Sequence, residues 1–200
     1  INVAIPFAWR VGDRWELSFT PDFTHFSNGD THFSNAGSNM FGLRIGVSMA
    51  KGICYGRNIP LIALSTLKVM CVPVLLTEEL PEDALLCPMI DARRMEVYAA
   101  IYDRALNTVK EVSADIIDQD SYKEYLDKQP VYFFGNGSTK CKEVIKHPNA
   151  RFIEGIEPLA RWMFPLADRE YMNEAFQDVA YFEPFYLKEF VATVAKNKVF

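Results

Sequence analysis

Histidine is scarce in this chain: three in 200 residues, at His25, His32 and His147. None falls in an H-E-x-x-H or any other i, i+4 pair, so a helical zinc site of that kind is excluded. The four cysteines, Cys54, Cys71, Cys87 and Cys141, make no C-x-x-C spacing and stand among apolar neighbours, which predicts buried, reduced thiols. There is no G-x-S-x-G nucleophile elbow and no G-x-x-x-x-G-K-[ST] phosphate loop. Basic residues are outnumbered, 21 against 26 acidic, for a net charge of −5. Bulk attraction to nucleic acid is therefore not expected. No run approaches the roughly 20 apolar residues of a membrane-spanning helix, and the most apolar stretch, 69–76, contains Pro73. The first residues have neither a basic region nor a long apolar region, so they do not read as a signal peptide, and a cytoplasmic location is expected.

What is present suffices for a core: 50% of residues are apolar and 24% charged. Residues 1–41 stand apart. They are rich in aromatics (Phe7, Trp9, Trp15, Phe19, Phe23, Phe26, Phe33, Phe41) and turn residues, and Thr24-His25-Phe26-Ser27-Asn28 recurs as Thr31-His32-Phe33-Ser34-Asn35. Only 14–19 reads as a strand there. From Gly42 the pattern becomes regular. Leu43, Val47, Ala50 and Cys54, flanked by Ile45, Met49 and Ile53, predict a helix, with Gly56 as its C′ residue. A short buried strand over 58–64 follows, then a helical turn capped by Ser65.

An acidic loop over 77–83 divides the chain into two expected units, 1–83 and 84–200. In the second, strands are predicted from Cys87 and over 96–102, joined by a turn over 92–95. A mixed stretch covers 109–117. Next come a polar helix over 120–128, a buried strand over 131–134 and a helix from Ser138 to about Lys146. Pro158 suits the N1 position of a last helix, interrupted by Pro165. Alternating strands and helices indicate an α/β architecture.

Two features could carry chemistry. Gly135-Asn136-Gly137 lies between a strand and a helix, where backbone N–H groups can cradle phosphate, although a tight turn before a helix reads the same way. Asp91, Arg93, Arg94 and Glu96 form the densest charged cluster, which suits either a ligand site between two lobes or a charge-paired hairpin. A third feature is the row of small residues Gly42, Gly46, Ala50 and Gly52. It allows close backbone approach, either inside the molecule or against a partner helix.

The stretches Gly42-Leu43-Arg44-Ile45-Gly46-Val47-Ser48-Met49-Ala50-Lys51-Gly52, Ile59-Pro60-Leu61, Ser65-Thr66-Leu67 and Ile90-Asp91-Ala92-Arg93-Arg94-Met95-Glu96-Val97-Tyr98 resemble the TsaB (YeaZ) family, as do the Gly135-Asn136-Gly137 turn and Pro184-Phe185-Tyr186-Leu187-Lys188. Residues 1–41 depart from that family's pattern. The resemblance implies an α/β, actin-like (ASKHA, RNase H-like) two-lobed fold whose first lobe is incomplete or divergent. It also implies a non-catalytic subunit in the formation of threonylcarbamoyladenosine at position 37 of tRNAs that read codons starting with A.

The implied partners are the catalytic paralogue TsaD and the ATPase TsaE, with a homodimer when alone and tRNA reached only through the complex. No membrane contact is implied. No metal or cofactor of its own is expected, while ATP or ADP with Mg would enter at the level of the complex. Leu43, Ile45, Gly46, Met49, Ala50 and Ile53 are the expected partner-facing residues. Asp91, Arg93, Gly135, Asn136 and Gly137 are candidates for a nucleotide or inter-lobe site. Two other readings stand beside this one: an ATP-dependent enzyme of the same fold class, and a glycoprotease-like peptidase, for which no triad or metal spacing is found.

Overall fold

The computed structural model describes residues 7–11, 15–19, 35–92, 94–185 and 187, with side chains from Gly46 onward. The order of elements is β1 (Phe7–Val11), β2 (Trp15–Phe19), α1 (Asn35–Arg57), β3 (Ile62–Ala63), α2 (Thr66–Thr77), β4 (Leu85–Asp91), β5 (Glu96–Tyr102), β6 (Thr108–Ile116), α3 (Lys123–Leu126), β7 (Val131–Phe134), α4 (Ser138–Cys141), β8 (Ala150–Ile153), a 3₁₀ turn (Ala160–Met163) and α5 (Phe164–Met172).

The strands make two sheets. The smaller has the order β2-β1-β3, with β1 antiparallel to both neighbours. The larger has the order β6-β5-β4-β7-β8. Its first three strands form an antiparallel meander, and β4, β7 and β8 run parallel. A central strand covered on both faces should read as a continuous apolar run rather than an alternating one, and β4 (LLCPMID) does so. Leu85, Cys87 and Met89 point to one face, where Val97, Ala99, Ile101, Val131 and Phe133 join them under Tyr122, Leu126 and Cys141. Leu86 and Ile90 point to the other face, against Leu67, Met70, Cys71 and Val74 of α2. α2 is apolar almost all round and accordingly buried along most of its length, Pro73 included. Among the described residues no helix is long and apolar enough to cross a membrane.

The C-terminal stretch returns to the first part of the chain. Gln177 bridges to Leu61, and its N–H donates to the Leu61 carbonyl at 2.8 Å. Lys51 on α1 donates to the carbonyls of Ala180 and Phe182, both at 3.0 Å. Val179 and Phe182 complete a small cluster with Val47, Ala50, Cys54 and Leu61.

Several local expectations are corrected. α1 starts at Asn35, seven residues before Gly42, and ends beyond Gly56. The left-handed residue that stops it is Asn58, with φ 52°. Ile59 N–H donates to the Cys54 carbonyl and Asn58 N–H to the Tyr55 carbonyl, the paired bonds of a Schellman end. Pro165 opens α5 rather than interrupting a helix, because a proline at the first turn gives up an N–H that has no intrahelical partner anyway. The stretch called mixed is the nine-residue strand β6. The helices expected over 120–128 and 138–146 are single turns, α3 and α4. The strand expected over 14–19 is β2.

Candidate functional site

The structure brings Asp91, Gly135, Asn136 and Gly137 together; Arg93 lies outside the described residues. β4 and β7 run parallel with Cys87 opposite Phe133 and Pro88 opposite Phe134, so the residues that follow each strand arrive side by side. Gly135 turns the chain with φ 95°, and a Cβ there would meet the Met89 carbonyl and the Met70 side chain. Gly137 is nearly as tight: a Cβ would come within 3.0 Å of the Ile90 backbone. These glycines let the turn press against β4. The contact is then hydrogen-bonded. Gly137 N–H donates to the Met89 carbonyl at 3.1 Å, and Asp91 N–H donates to the Asn136 side-chain oxygen at 2.9 Å.

This arrangement bears on the two readings of Gly135, Asn136 and Gly137, a phosphate cradle or a tight turn before a helix. Two of the N–H groups such a cradle would offer are spent inside the chain, Gly137 on Met89 and Ser138 on Gly135. The Ser138 hydroxyl also donates to the Gly135 carbonyl, at 2.8 Å. The lysine that follows, Lys140, turns back to the β4–β5 hairpin. Its ammonium pairs with the Asp91 carboxylate and donates to the carbonyls of Arg94 at 2.6 Å and Glu96 at 2.7 Å. Lys140 stands three residues after the second glycine of the turn, where one turn of α4 aims it back at the hairpin.

The expected partner-facing residues of α1 divide. The side chains of Leu43 and Ile45 lie outside the described residues, and Gly46 is buried. Met49 is exposed at 54%. Ala50 and Ile53 are corrected: Ala50 is 2% exposed and both pack within the chain against the Cys54–Leu61 cluster. The returning C-terminal stretch covers that face, which no local periodicity in α1 could announce. The open face of α1 carries Met49, Gly52, Tyr55 (84% exposed) and Gly56, and a Cβ on either glycine would meet nothing within 4 Å.

A second polar group was not read from the sequence at all. On β6, Lys110 pairs with Asp115 at 2.7 Å and donates to Ser113, while the Ser113 hydroxyl donates to Asp115 at 2.8 Å and the Tyr122 hydroxyl donates to Asp115 at 2.7 Å. Burial alone would raise the Asp115 carboxyl, but hydrogen bonds from Lys110, Tyr122 and Ser113 outweigh it and hold the group below the usual carboxylate range. Tyr122 is pushed up, first by burial and then by the carboxylate it donates to. Tyr122 belongs to the core beneath this cluster, which reads as a polar cap on it.

All four thiols are free and buried. Burial raises Cys71 and Cys87 well above the ordinary thiol range and pushes Cys141 up to about 11, which leaves them protonated at neutral pH. Among the described residues no group of three or more His, Cys, Asp or Glu side chains could hold a metal ion.

Residues 39–196 match the model of the family described as TsaD, tRNA N6-adenosine threonylcarbamoyltransferase. The chain belongs to this family, in its TsaB (YeaZ) branch. A protein of Bacillus subtilis (strain 168), tRNA threonylcarbamoyladenosine biosynthesis protein TsaB, is 31% identical over 108 residues, covering 52% of this chain and 45% of that protein. The match thus spans less than half the length of that relative.

Two solved structures from Pseudomonas aeruginosa share the fold. An uncharacterized protein with similarity to peptidase YeaZ aligns with a TM-score of 0.62 at 18% identity, over 74% of this chain and 68% of that one. YeaZ itself aligns with a TM-score of 0.57 at 19% identity over the same shares. The fold of the TsaB-branch chain is therefore the α/β, actin-like (ASKHA, RNase H-like) one. Residues 3–48, less than a quarter of the chain, match a different model, that of lipid A 3-O-deacylase (PagL). That match covers the stretch where the TsaB resemblance stops.

Proposed function

We propose that this chain serves threonylcarbamoyladenosine formation on tRNA as a non-catalytic subunit that docks a TsaD-type threonylcarbamoyltransferase. The observation that carries the reading is the match to a TsaB relative in a chain whose α1 has one face that the other described residues leave uncovered. Met49, Gly52 and Gly56 follow one another at helical spacing there, with Tyr55 beside them. Small residues between two large apolar ones let a second helix approach closely while keeping an apolar contact. The partner-facing residues are accordingly Met49 with Gly52, Tyr55 and Gly56, and Leu43 and Ile45 lie on the same helix toward its start. In this reading TsaE joins the assembly, a homodimer forms through the same helix when TsaD is absent, and tRNA is contacted through the partners. Nucleotide and Mg enter at the level of the complex.

The test is co-elution with a cognate TsaD, followed by a modification assay on unmodified tRNA with TsaE, the carbamoyl-adenylate synthase, ATP and threonine. Co-elution with restored modification is expected, and Gly52→Leu should abolish both while leaving the melting temperature intact. A folded wild-type chain that neither co-elutes nor restores modification overturns the reading. Normal co-elution of a folded Gly52→Leu overturns the assignment of the docking face alone.

A further inference from the structure

The buried helix α2 begins without the cap its sequence offers. Its N-cap is Ser65, with the extended backbone (φ −67°, ψ 126°) from which a serine hydroxyl ordinarily accepts an N–H of the first turn. No such bond forms. The Ser65 and Tyr102 hydroxyls are hydrogen-bonded to each other instead. The first intrahelical bond runs from the Val69 N–H to the Ser65 carbonyl at 3.0 Å. The N–H groups of Thr66, Leu67 and Lys68 therefore face out of the helix end, and among the described residues none of them meets an acceptor.

Two side chains at this end are also left over. Thr66, the first residue of α2, is 5% exposed, and its hydroxyl oxygen is buried with no hydrogen-bond partner. Buried hydroxyls are bonded in the large majority of cases, so one that is not points to a missing partner. Helical side chains lean toward the start of their helix, which puts this hydroxyl at the same end as the open N–H groups. Threonine in a helix has two χ1 states open to it, so the oxygen can turn to a ligand without moving the backbone. Lys68 stands two residues on, its ammonium 5.6 Å from the centre of the Tyr102 ring. Glu111 acts on Tyr102 from β6, yet among the described residues no carboxylate pairs with Lys68, and the first turn of α2 holds no acidic residue. A cation here adds to the positive end of the helix dipole, the reverse of the usual placement.

Open N–H groups, a buried hydroxyl and a lysine without a negative partner all favour one kind of ligand. A phosphate-sized oxyanion accepts from main-chain N–H groups at a helix start and from an ammonium at once. We infer that the N-terminus of α2 is a site for a phosphoryl group, held by the Leu67 and Lys68 N–H groups, the Thr66 hydroxyl and the Lys68 ammonium. Ser65 is exposed, which leaves the helix end within reach of solvent, and its bond to Tyr102 keeps the serine from closing that end itself. The site belongs to α2 and does not depend on the docking face of α1.

The experiment compares the full chain, Thr66→Val and Lys68→Met by thermal melting and calorimetric titration in inorganic phosphate against chloride at equal ionic strength. The wild type should melt about 3 °C higher in phosphate at about ten times its dissociation constant. Lys68→Met keeps the aliphatic stem and removes the charge, and Thr66→Val keeps the side-chain shape and removes the hydroxyl. Each should weaken phosphate about tenfold. In chloride Thr66→Val should melt no lower than the wild type, because the group it removes has no partner. Glycerol 3-phosphate, run beside inorganic phosphate, distinguishes the sources: tighter binding of the ester assigns the site to phosphate monoesters, and tighter binding of inorganic phosphate to the free anion.

Three results would overturn the inference. One is a wild type that melts alike in phosphate and chloride. Another is a phosphate response that both variants leave intact, which would put the ligand elsewhere. The third is a Thr66→Val that melts lower than the wild type in chloride, which would mean that the hydroxyl already has a partner. Should a variant fail to fold, amide chemical shifts of the wild type decide. On adding phosphate those of Leu67 and Lys68 should move most, and movement confined to other residues refutes the site.

Discussion

Lys110 and Asp115 lie five residues apart on one strand, yet their side chains meet at 2.7 Å on the same face of the sheet. In a regular strand an odd separation puts two side chains on opposite faces. The pairing of β5 with β6 resolves this. Ala99 faces Ser113 and Ile101 faces Lys110, so two residues on β5 are spanned by three on β6. The extra residue is a β-bulge, and it switches the alternation. Lys110, Ser113 and Asp115 then share the face that Val97, Ala99 and Ile101 turn to the core, and Tyr122 closes over them.

Asp115 should therefore contribute to stability in a pH-dependent way. Its carboxyl is held below the ordinary value in the folded chain. A lowered pKa contributes stability that is fully present above the unfolded value of about 3.9 and lost as pH falls through the folded one. Asp115→Asn should cost about 2 kcal/mol at pH 7, with the gap to wild type closing below about pH 4. Urea denaturation at a series of pH values measures this. A gap that stays constant with pH would mean that the carboxylate's charge does not matter.

Two glycines with positive φ should behave differently. Gly135 (φ 95°) faces the Met89 carbonyl and the Met70 side chain, whereas Gly155 (φ 77°) faces open space. Gly155→Ala should cost only the conformational penalty, about 1–2 kcal/mol. Gly135→Ala adds a collision with backbone that cannot step aside, and should cost about 3 kcal/mol or more. Melting curves of the two variants give the comparison directly, and equal losses would show that the turn can retreat from β4.

The same contrasts mark what the sequence could disclose. β5 and β7 were legible to the residue, because continuous apolar runs bounded by polar turns leave little choice of register. The joining of Asp91 to the Gly135–Gly137 turn was foreshadowed by their family spacing, but the acceptors of Lys140 depend on a parallel pairing of β4 with β7 that no local pattern encodes. The Lys110 cluster was invisible because a bulge breaks the two-residue period on which strand reading rests. On α1 the apolar periodicity was correct, and the error concerned what covers it. Ala50 and Ile53 face inward onto residues more than a hundred positions away.

That long-range cover can be loosened at one point. Lys51 holds the carbonyls of Ala180 and Phe182 at 3.0 Å each. Lys51→Met keeps the aliphatic stem and removes both bonds, so the global loss should be small, about 1 kcal/mol. The local loss should be larger. Hydrogen exchange at the Gln177 and Phe182 amides, which donate to Leu61 and Asp178, should accelerate well before that of β4 or β7. Uniform acceleration across the chain would show that the tether contributes only to global stability.

The end of α1 separates two readings of the same residues. Had Gly56 been the left-handed C′ residue, Gly56→Ala would place a Cβ in a strained conformation and destabilise the chain. In the structure Gly56 lies inside the helix with nothing within 4 Å of a Cβ, and Asn58 takes the positive φ. Gly56→Ala should then stabilise by up to about 1 kcal/mol, because glycine is the costlier residue in a helix. Asn58→Ala should cost about 1 kcal/mol, because alanine tolerates the left-handed region less well than asparagine, and Asn58→Gly should be close to neutral. Equilibrium unfolding of the three variants checks the order, and a destabilising Gly56→Ala would move the helix end back by two residues.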